Sequence, residues 1–175
     1  MKIDFEGQVV LVTGGSRGIG REIADQYTAL GAETIVTGRE ESSNRSAKRF
    51  MAVDFMDSAS VSAFLAEISK IGRIDVLVNN AGINRLNAID ESDPSDWEAI
   101  RAVNLDAPYL VSRAVSRLMK SNGYGRIVNI ASIFGVISKP RRVLYSMSKF
   151  GLRGLTVGSS LDLAAHGVLV NTVSP

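Results

Sequence analysis

Short apolar runs alternate along this chain with longer stretches in which apolar residues recur every three or four positions. Gln8-Val9-Val10-Leu11-Val12 is continuous, β-branched and ended by Thr13-Gly14-Gly15, the pattern of a buried strand. From Gly18 to Leu30 the period changes, and Ile19, Ile23, Tyr27 and Leu30 predict a helix that Gly31 stops. Thr34-Ile35-Val36-Thr37 reads as a second strand closed by Gly38, and Phe50-Met51-Ala52-Val53 as a weaker third. The polar stretch from Arg39 to Arg49 between them reads as loop. Ser58 is the expected cap of a helix with Val61, Phe64, Leu65 and Ile68 on its apolar face and Gly72 at its end.

The alternation then repeats. Ile74 to Val78 is a strand ending in the turn Asn79-Asn80-Ala81-Gly82, and one long helix is expected from about Ser95 to Ser121. Arg126 to Ile130 forms a strand, Tyr145 to Ala165 a helix, and Val168 to Val173 a sixth strand. Strands separated by helices imply βαβ units, right-handed crossovers and a doubly wound parallel α/β sheet. Pro175 follows the sixth strand directly, so a closing strand and helix are expected to be absent and that strand's outer edge to be prone to aggregation.

Composition narrows the function classes. Hydrophobic residues make up 45% and charged residues 22% of 175, as expected for a single globular domain, here residues 1–175. With no cysteine and only His166, disulfides, thiolate metal sites and histidine clusters are excluded. A net charge of +2 gives no electrostatic case for nucleic acid. The start carries Asp4 and Glu6 where a secretory leader would be apolar, and the run Val9 to Val12 is far short of the ~20 residues of a membrane span. A cytoplasmic protein without membrane or nucleic-acid partners is the expectation.

Thr13-Gly14-Gly15-Ser16-Arg17-Gly18-Ile19-Gly20 lies between the first strand and the first helix, where helix amides are open to a phosphate. Gly14 permits the tight turn, Gly18 lets backbone approach a pyrophosphate, and Gly20 lets the helix pack close to the sheet. The sequence has no Gly-Lys-Ser/Thr ending, so a nucleoside-triphosphate loop is excluded. An acidic residue at the end of the second strand would favour NAD(H) through the ribose hydroxyls. The dipeptide there is Gly38-Arg39, and with Arg17 it offers two guanidinium groups to a 2′-phosphate, favouring NADP(H).

Tyr145 and Lys149 are four apart on one helix face. An ammonium beside a phenol favours the phenolate, which makes Tyr145 a candidate general acid or base. Ser132 lies just beyond the fifth strand, at the sheet end that binds ligands, where its hydroxyl can polarise a carbonyl.

Thr13-Gly14-x-x-x-Gly18-x-Gly20, Asn79-Asn80-Ala81-Gly82, Asn104, Ser132 and Tyr145-x-x-x-Lys149 occur in order, each at the expected element. Together they resemble the short-chain dehydrogenase/reductase family, most closely its 3-oxoacyl-carrier-protein reductases and related carbonyl or sugar oxidoreductases. The resemblance spans essentially the whole chain and implies a Rossmann-like fold and hydride transfer between NADP(H) and a ketone or secondary alcohol. It implies a catalytic set of Asn104, Ser132, Tyr145 and Lys149, with Lys149 also bonding the nicotinamide ribose and Asn104 holding a water that relays protons to it. The cofactor would meet Gly14, Ser16, Arg17, Gly18, Ile19, Gly20, Arg39, Asp54, Asn80, Ala81, Gly82, Tyr145, Lys149 and Pro175. Asp54 resembles the acid that contacts adenine, although it can equally cap the turn before Asp57. The family continues beyond Ser174-Pro175 with a substrate-covering segment, so the chain is expected to be incomplete at its C-terminal end.

Other readings stay open. A nucleotide-binding module without turnover would follow from a missing substrate segment. A nucleotide-sugar epimerase or dehydratase fits less well, because that branch resembles a G-x-x-G-x-x-G loop. The basic run Lys139-Pro140-Arg141-Arg142 is either a solvated loop or an attractor for an anionic small-molecule substrate. By resemblance a homodimer or homotetramer is expected through the helices beginning near Ser95 and Tyr145. Leu110, Leu118, Leu152 and Leu161 are interface candidates that can equally be core.

Overall fold

In the computed structural model, which describes residues 4–40 and 46–175, the apolar runs become the strands of one parallel sheet. These are β1 (Val9–Val12), β2 (Glu33–Gly38), β3 (Arg49–Ala52), β4 (Val76–Asn79), β5 (Gly125–Ile130) and β6 (Val168–Val173). Their spatial order is β3-β2-β1-β4-β5-β6, with every neighbouring pair parallel. The chain therefore winds outward from β1 to β3, crosses back, and winds the other way from β4. The ends of β1 and β4 flank the point of reversal, where an open α/β sheet leaves a crevice for ligands.

The helices are α1 (Gly18–Ala29), α2 (Ser58–Ile71), α3 (Pro94–Arg101), α4 (Ala107–Asn122) and α5 (Val143–Leu163). Successive strand residues point to opposite faces, so the sheet builds two cores. On one face Leu11, Ile35, Leu77 and Ile127 pack with Phe64 and Ile68 of α2 and with Val111, Val115 and Met119 of α4. On the other, Val10, Val12, Val36, Val76 and Val78 pack with Ala24, Ile23 and Tyr27 of α1. Near-continuous apolar strands were the sequence signal for a sheet covered on both sides, and both sides are covered.

Several local expectations are corrected. Asp57 caps α2 in place of Ser58, its carboxylate accepting from Ala59 N at 2.9 Å. The expected single helix over Ser95–Ser121 is interrupted by a π-helical turn, Ala102–Asp106, between α3 and α4. Arg49 already belongs to β3, and residues 41–45 of the expected Arg39–Arg49 loop lie outside the described residues. Ile19, assigned to the apolar face of α1, is 57% exposed because it sits at the glycine loop rather than over the sheet. Leu152 is core, Leu110 and Leu118 are packed against the core, and of the four candidate interface leucines only Leu161 is exposed.

β6 pairs with β5 on one side, and among the described residues no strand pairs with its other side. Its Leu169 and Val173 are about half exposed.

The helix α1 passes so close to the glycine loop that a Cβ at Gly20 would overlap the Gly14 carbonyl oxygen and the Asn80 amide. Gly20→Ala sets about 1 kcal/mol of gained helix propensity against that overlap. The overlap is with the Gly14 backbone and with an Asn80 amide held by two hydrogen bonds, neither of which can readily step aside, so a net loss of about 1–3 kcal/mol is expected in chemical denaturation. A raised denaturation midpoint would show that the loop yields.

Candidate active site

Thr13 ties the two ends of the crevice together. Its Oγ1 accepts from Asn80 N at 3.0 Å and from Ala81 N at 3.1 Å, while Asn80 Nδ2 donates to the carbonyl oxygens of Thr13 and Gly14 at 3.0 Å each. The glycine loop and the Asn79-Asn80-Ala81-Gly82 turn are thus one unit. Gly14 and Gly18 take φ values of 63° and 57°, a region costly for any residue with a side chain. The N-terminus of α1 follows, with Arg17 at the cap position, no side chain bonded to its amides and no acid in its first turn. Those open amides and the positive end of the helix dipole suit an anion such as a pyrophosphate.

Ser16 reaches the end of β2, since a Cβ at Gly38 would stand 3.0 Å from Ser16 Oγ. Arg17 and Arg39 are therefore rooted at adjacent places, both exposed, and neither pairs with a carboxylate among the described residues. Of the neighbouring acids Glu40 and Glu41, which could partly neutralise Arg39, Glu40 forms no ion pair with it and Glu41 lies outside the described residues. Asp54, at the end of β3, spends one carboxylate oxygen on Met56 N at 2.9 Å, the turn-capping role that its sequence context also allowed.

The second half of the site hangs on α5. Lys149 is only 4% exposed, and its Nζ donates to Ile130 O at the end of β5 at 2.7 Å. The same Nζ lies 5.6 Å from the centroid of the Tyr145 ring. An ammonium has three donors, and among the described residues Ile130 O is the only acceptor it has found. Burial without a carboxylate pushes its pKa down to about 8. A cofactor's ribose hydroxyls would complete this group, and the glycine cradle, the open amides and the spare lysine donors all fit a dinucleotide.

Asn104 sits inside the π-helical turn, fully buried. Its Oδ1 accepts from Ile83 N at 2.8 Å, and its Nδ2 donates to Ile83 O at 2.9 Å and Ser148 Oγ at 3.1 Å. Irregular helical turns of this kind recur at functional sites because they re-aim a side chain. A Cβ at Gly82 would lie 3.6 Å from Asn104 Oδ1 and 3.9 Å from Lys149 Nζ, so these three residues meet. Ser132, 8% exposed, accepts from Phe134 N at 3.2 Å. Its neighbours are fixed by β6 and its continuation: Ala131 N donates to Val173 O at 2.8 Å and Ile133 N to Pro175 O at 3.2 Å. The short turn after Ser132 packs on α5 so closely that a Cβ at Gly135 would stand 2.9 Å from Lys149 O.

The sequence-derived residues thus gather at one edge of the sheet. The anchors Thr13, Ser148 and the Ile130 carbonyl were missed. Thr13 was visible as part of the motif, whereas a backbone acceptor leaves no trace in a sequence.

The basic run has a different disposition from a simple anion trap. Arg141, at φ 63°, donates to Glu91 Oε2 and to Leu86 O, both at 3.1 Å, bridging the two loops. Lys139 and Arg142 lie over the Phe134 ring at 5.6 and 5.4 Å. A cleft of about 570 Å³ opens beside them, lined by Ala88, Ile89, Val143, Met147 and Phe150 among others, but by none of Ser132, Tyr145 and Lys149.

Lys149 gives the site a pH signature. Between pH 8 and 10.5 the folded chain holds this lysine neutral while the unfolded chain still protonates it, so stability rises with pH across that window. The stability difference between wild type and Lys149→Met should therefore move by about 3 kcal/mol in favour of wild type from pH 7 to 10.5. A difference that is flat with pH would mean that the ammonium is not desolvated.

The sequence pattern of short chain dehydrogenase matches residues 8–175. The chain is 35% identical over 181 residues to the 3-oxoacyl-[acyl-carrier-protein] reductase FabG of Escherichia coli, covering 99% of this chain and 74% of that protein. A metagenomic short-chain oxidoreductase in complex with NADP superposes with a TM-score of 0.91 at 37% identity, covering 98% of this chain and 83% of that one. A gluconate 5-dehydrogenase from Burkholderia cenocepacia, in complex with NADP and tartrate, gives a TM-score of 0.88 at 32% identity, covering 99% and 72%. Among the described residues no helix is long and apolar enough to cross a membrane. The sheet order, the glycine cradle and these similarities together establish that the chain belongs to the short-chain dehydrogenase/reductase family, enzymes that transfer hydride with NAD(P).

Proposed function

We propose that this chain is a single dinucleotide-binding and catalytic domain that interconverts a ketone and a secondary alcohol with NADP(H), using Tyr145 as general acid and base. The observation that carries the reading is the buried Lys149 ammonium, held over the Tyr145 ring with donors to spare and, among the described residues, no carboxylate paired with it. Such a group is costly unless a ligand completes it. When bound, the nicotinamide supplies the hydride.

In the reduction direction the Tyr145 hydroxyl gives its proton to the substrate oxygen as negative charge develops there. Ser132 donates a hydrogen bond to the same oxygen. Its Oγ already accepts from Phe134 N, so the hydroxyl hydrogen is left to point outward. Lys149 opposes the charge left on the Tyr145 oxygen and holds the nicotinamide ribose. Asn104 fixes Ile83 against α5, and the remaining lone pair of its Oδ1 holds the water that returns a proton to Lys149.

Arg17 and Arg39 favour NADP(H), and Asp54 keeps a carboxylate oxygen for adenine. FabG is by name a reductase of 3-oxoacyl-[acyl-carrier-protein] and the structural relative a gluconate 5-dehydrogenase; a small carbonyl or alcohol substrate is proposed here. An anionic substituent would meet Lys139 and Arg142 rather than Arg141, whose charge Glu91 takes up. Met147, Phe150, Val157 and Leu161 form an exposed apolar stripe on α5 that supports a homodimer or homotetramer. Sedimentation of the Leu161→Lys variant should show a smaller species than wild type.

Tyr145→Phe should lower NADPH-dependent ketone reduction by about a hundredfold or more while leaving NADPH affinity within a few fold. Retained turnover in that variant rules out Tyr145 as the acid. Separately, Arg39→Ala should weaken NADPH binding roughly tenfold or more and leave NADH binding unchanged, as calorimetric titration would read. Equal losses for the two cofactors would remove the basis for NADP(H) preference.

A further inference from the structure

We propose that Phe134 is a positioning residue that sets the Tyr145 ring against the Ser132 hydroxyl; this rests on the reading of those two residues given above. Phe134 touches both. Its backbone N–H donates to Ser132 Oγ at 3.2 Å, and its ring meets the Tyr145 ring edge to face, with centroids 6.3 Å apart and planes at 77°. The first contact fixes the rotation of the serine hydroxyl. The second supports one side of the tyrosine, while Lys149 lies over its ring.

The surroundings show why an aromatic ring is needed at this position. Lys139 Nζ and Arg142 Cζ both lie over the Phe134 ring, at 5.6 and 5.4 Å from its centroid. Among the described residues neither is paired with a carboxylate. Two like charges converge on one spot only where something attracts both, and the negative face of an aromatic ring does so. The intervening Arg141 turns the other way, at φ 63°, to reach Glu91 and Leu86. The segment 139–142 is thus folded around Phe134, and the ring is clamped between two cations and Tyr145. A clamped ring in edge contact restricts where the Tyr145 hydroxyl can go, and a displacement of about 1 Å in such a group can cost a hundredfold in rate.

Side-chain and backbone contributions separate cleanly. Phe134→Ala keeps the N–H that holds Ser132 and removes only the ring. Phe134→Leu keeps apolar bulk without an aromatic face, and Phe134→Tyr keeps the face. With ethyl 3-oxobutanoate and NADPH as probes, the Ala and Leu variants should lose ten- to hundredfold in kcat with the KM for NADPH within twofold, and Phe134→Tyr should recover kcat to within about threefold of wild type. A purely structural role would instead lower the thermal midpoint without splitting kcat from KM, and Leu would then serve as well as Tyr. Retained kcat in Phe134→Ala, with Tyr145→Phe inactive, overturns the positioning role and leaves the general-acid reading intact. Retained turnover in Tyr145→Phe overturns the general acid itself. If the wild-type chain turns over no carbonyl probe, side-chain scalar couplings of Tyr145 decide. One χ1 rotamer in wild type that averages in Phe134→Ala supports the proposal, and an unchanged rotamer overturns it.

Discussion

A lysine ammonium buried, among the described residues, without a carboxylate partner is the constraint on which the candidate site depends. Removing a charge from water is expensive, and the usual remedy is an ion pair. Lys149 has instead one backbone carbonyl, a tyrosine ring and a glycine that leaves room beside it. Its pKa is pushed down to about 8 by burial alone. The turn after Ser132 packs a glycine on the Lys149 carbonyl, and the π-helical turn brings Asn104 to Ile83 and Ser148 without using a hydrogen bond to the lysine.

The sheet makes such a site possible at a fixed place. Reversal of the winding between β1 and β4 leaves the two strand ends side by side, and Thr13 joins them through hydrogen bonds to Asn80 and Ala81. The open N-terminus of α1 and the buried ammonium of α5 are positioned by the same sheet edge. In the proposed reading one would offer amides to phosphate and the other N–H groups to ribose, so that a dinucleotide would be held at both ends. A second buried polar system lies behind this edge. Asn79 Nδ2 bonds Ser112 and Asn129, and Asn129 Nδ2 bonds Thr156, tying α4 and α5 to β4 and β5. These bonds join both helices to the sheet through buried amides, although Asn79 Oδ1 has no partner among the described residues.

Much of this was legible in the chain itself. The first, second and fourth strands stand out as apolar runs closed by glycine-containing turns, and the third, fifth and sixth as short apolar or alternating runs between helical stretches. Tyr145 and Lys149 were paired by helical spacing, and the glycine loop was placed by its position after the first strand. Features that depend on tertiary contact were not legible. The π-helical turn in the helix carrying Asn104 breaks no propensity rule visible at Ala102–Asp106. The cap of α2 is a different case, a local bond from Ala59 N to Asp57, with two adjacent cap-forming residues that sequence alone does not rank. The leucines proposed for an interface turned mostly inward, since spacing alone does not say which side of a helix meets the sheet. The disposition of Arg141 against Glu91, fifty residues away in sequence, has no local signal either.

If the Lys149 ammonium is completed by the cofactor, binding must raise its proton affinity, because new acceptors stabilise the charged form. Calorimetric titration of NADPH at pH 8, in two buffers of different ionisation enthalpy, counts the protons exchanged. The expected result is uptake of about half a proton per site, vanishing at pH 6 and in Lys149→Met. Cofactor binding with the same heat in both buffers would contradict the central role of this lysine.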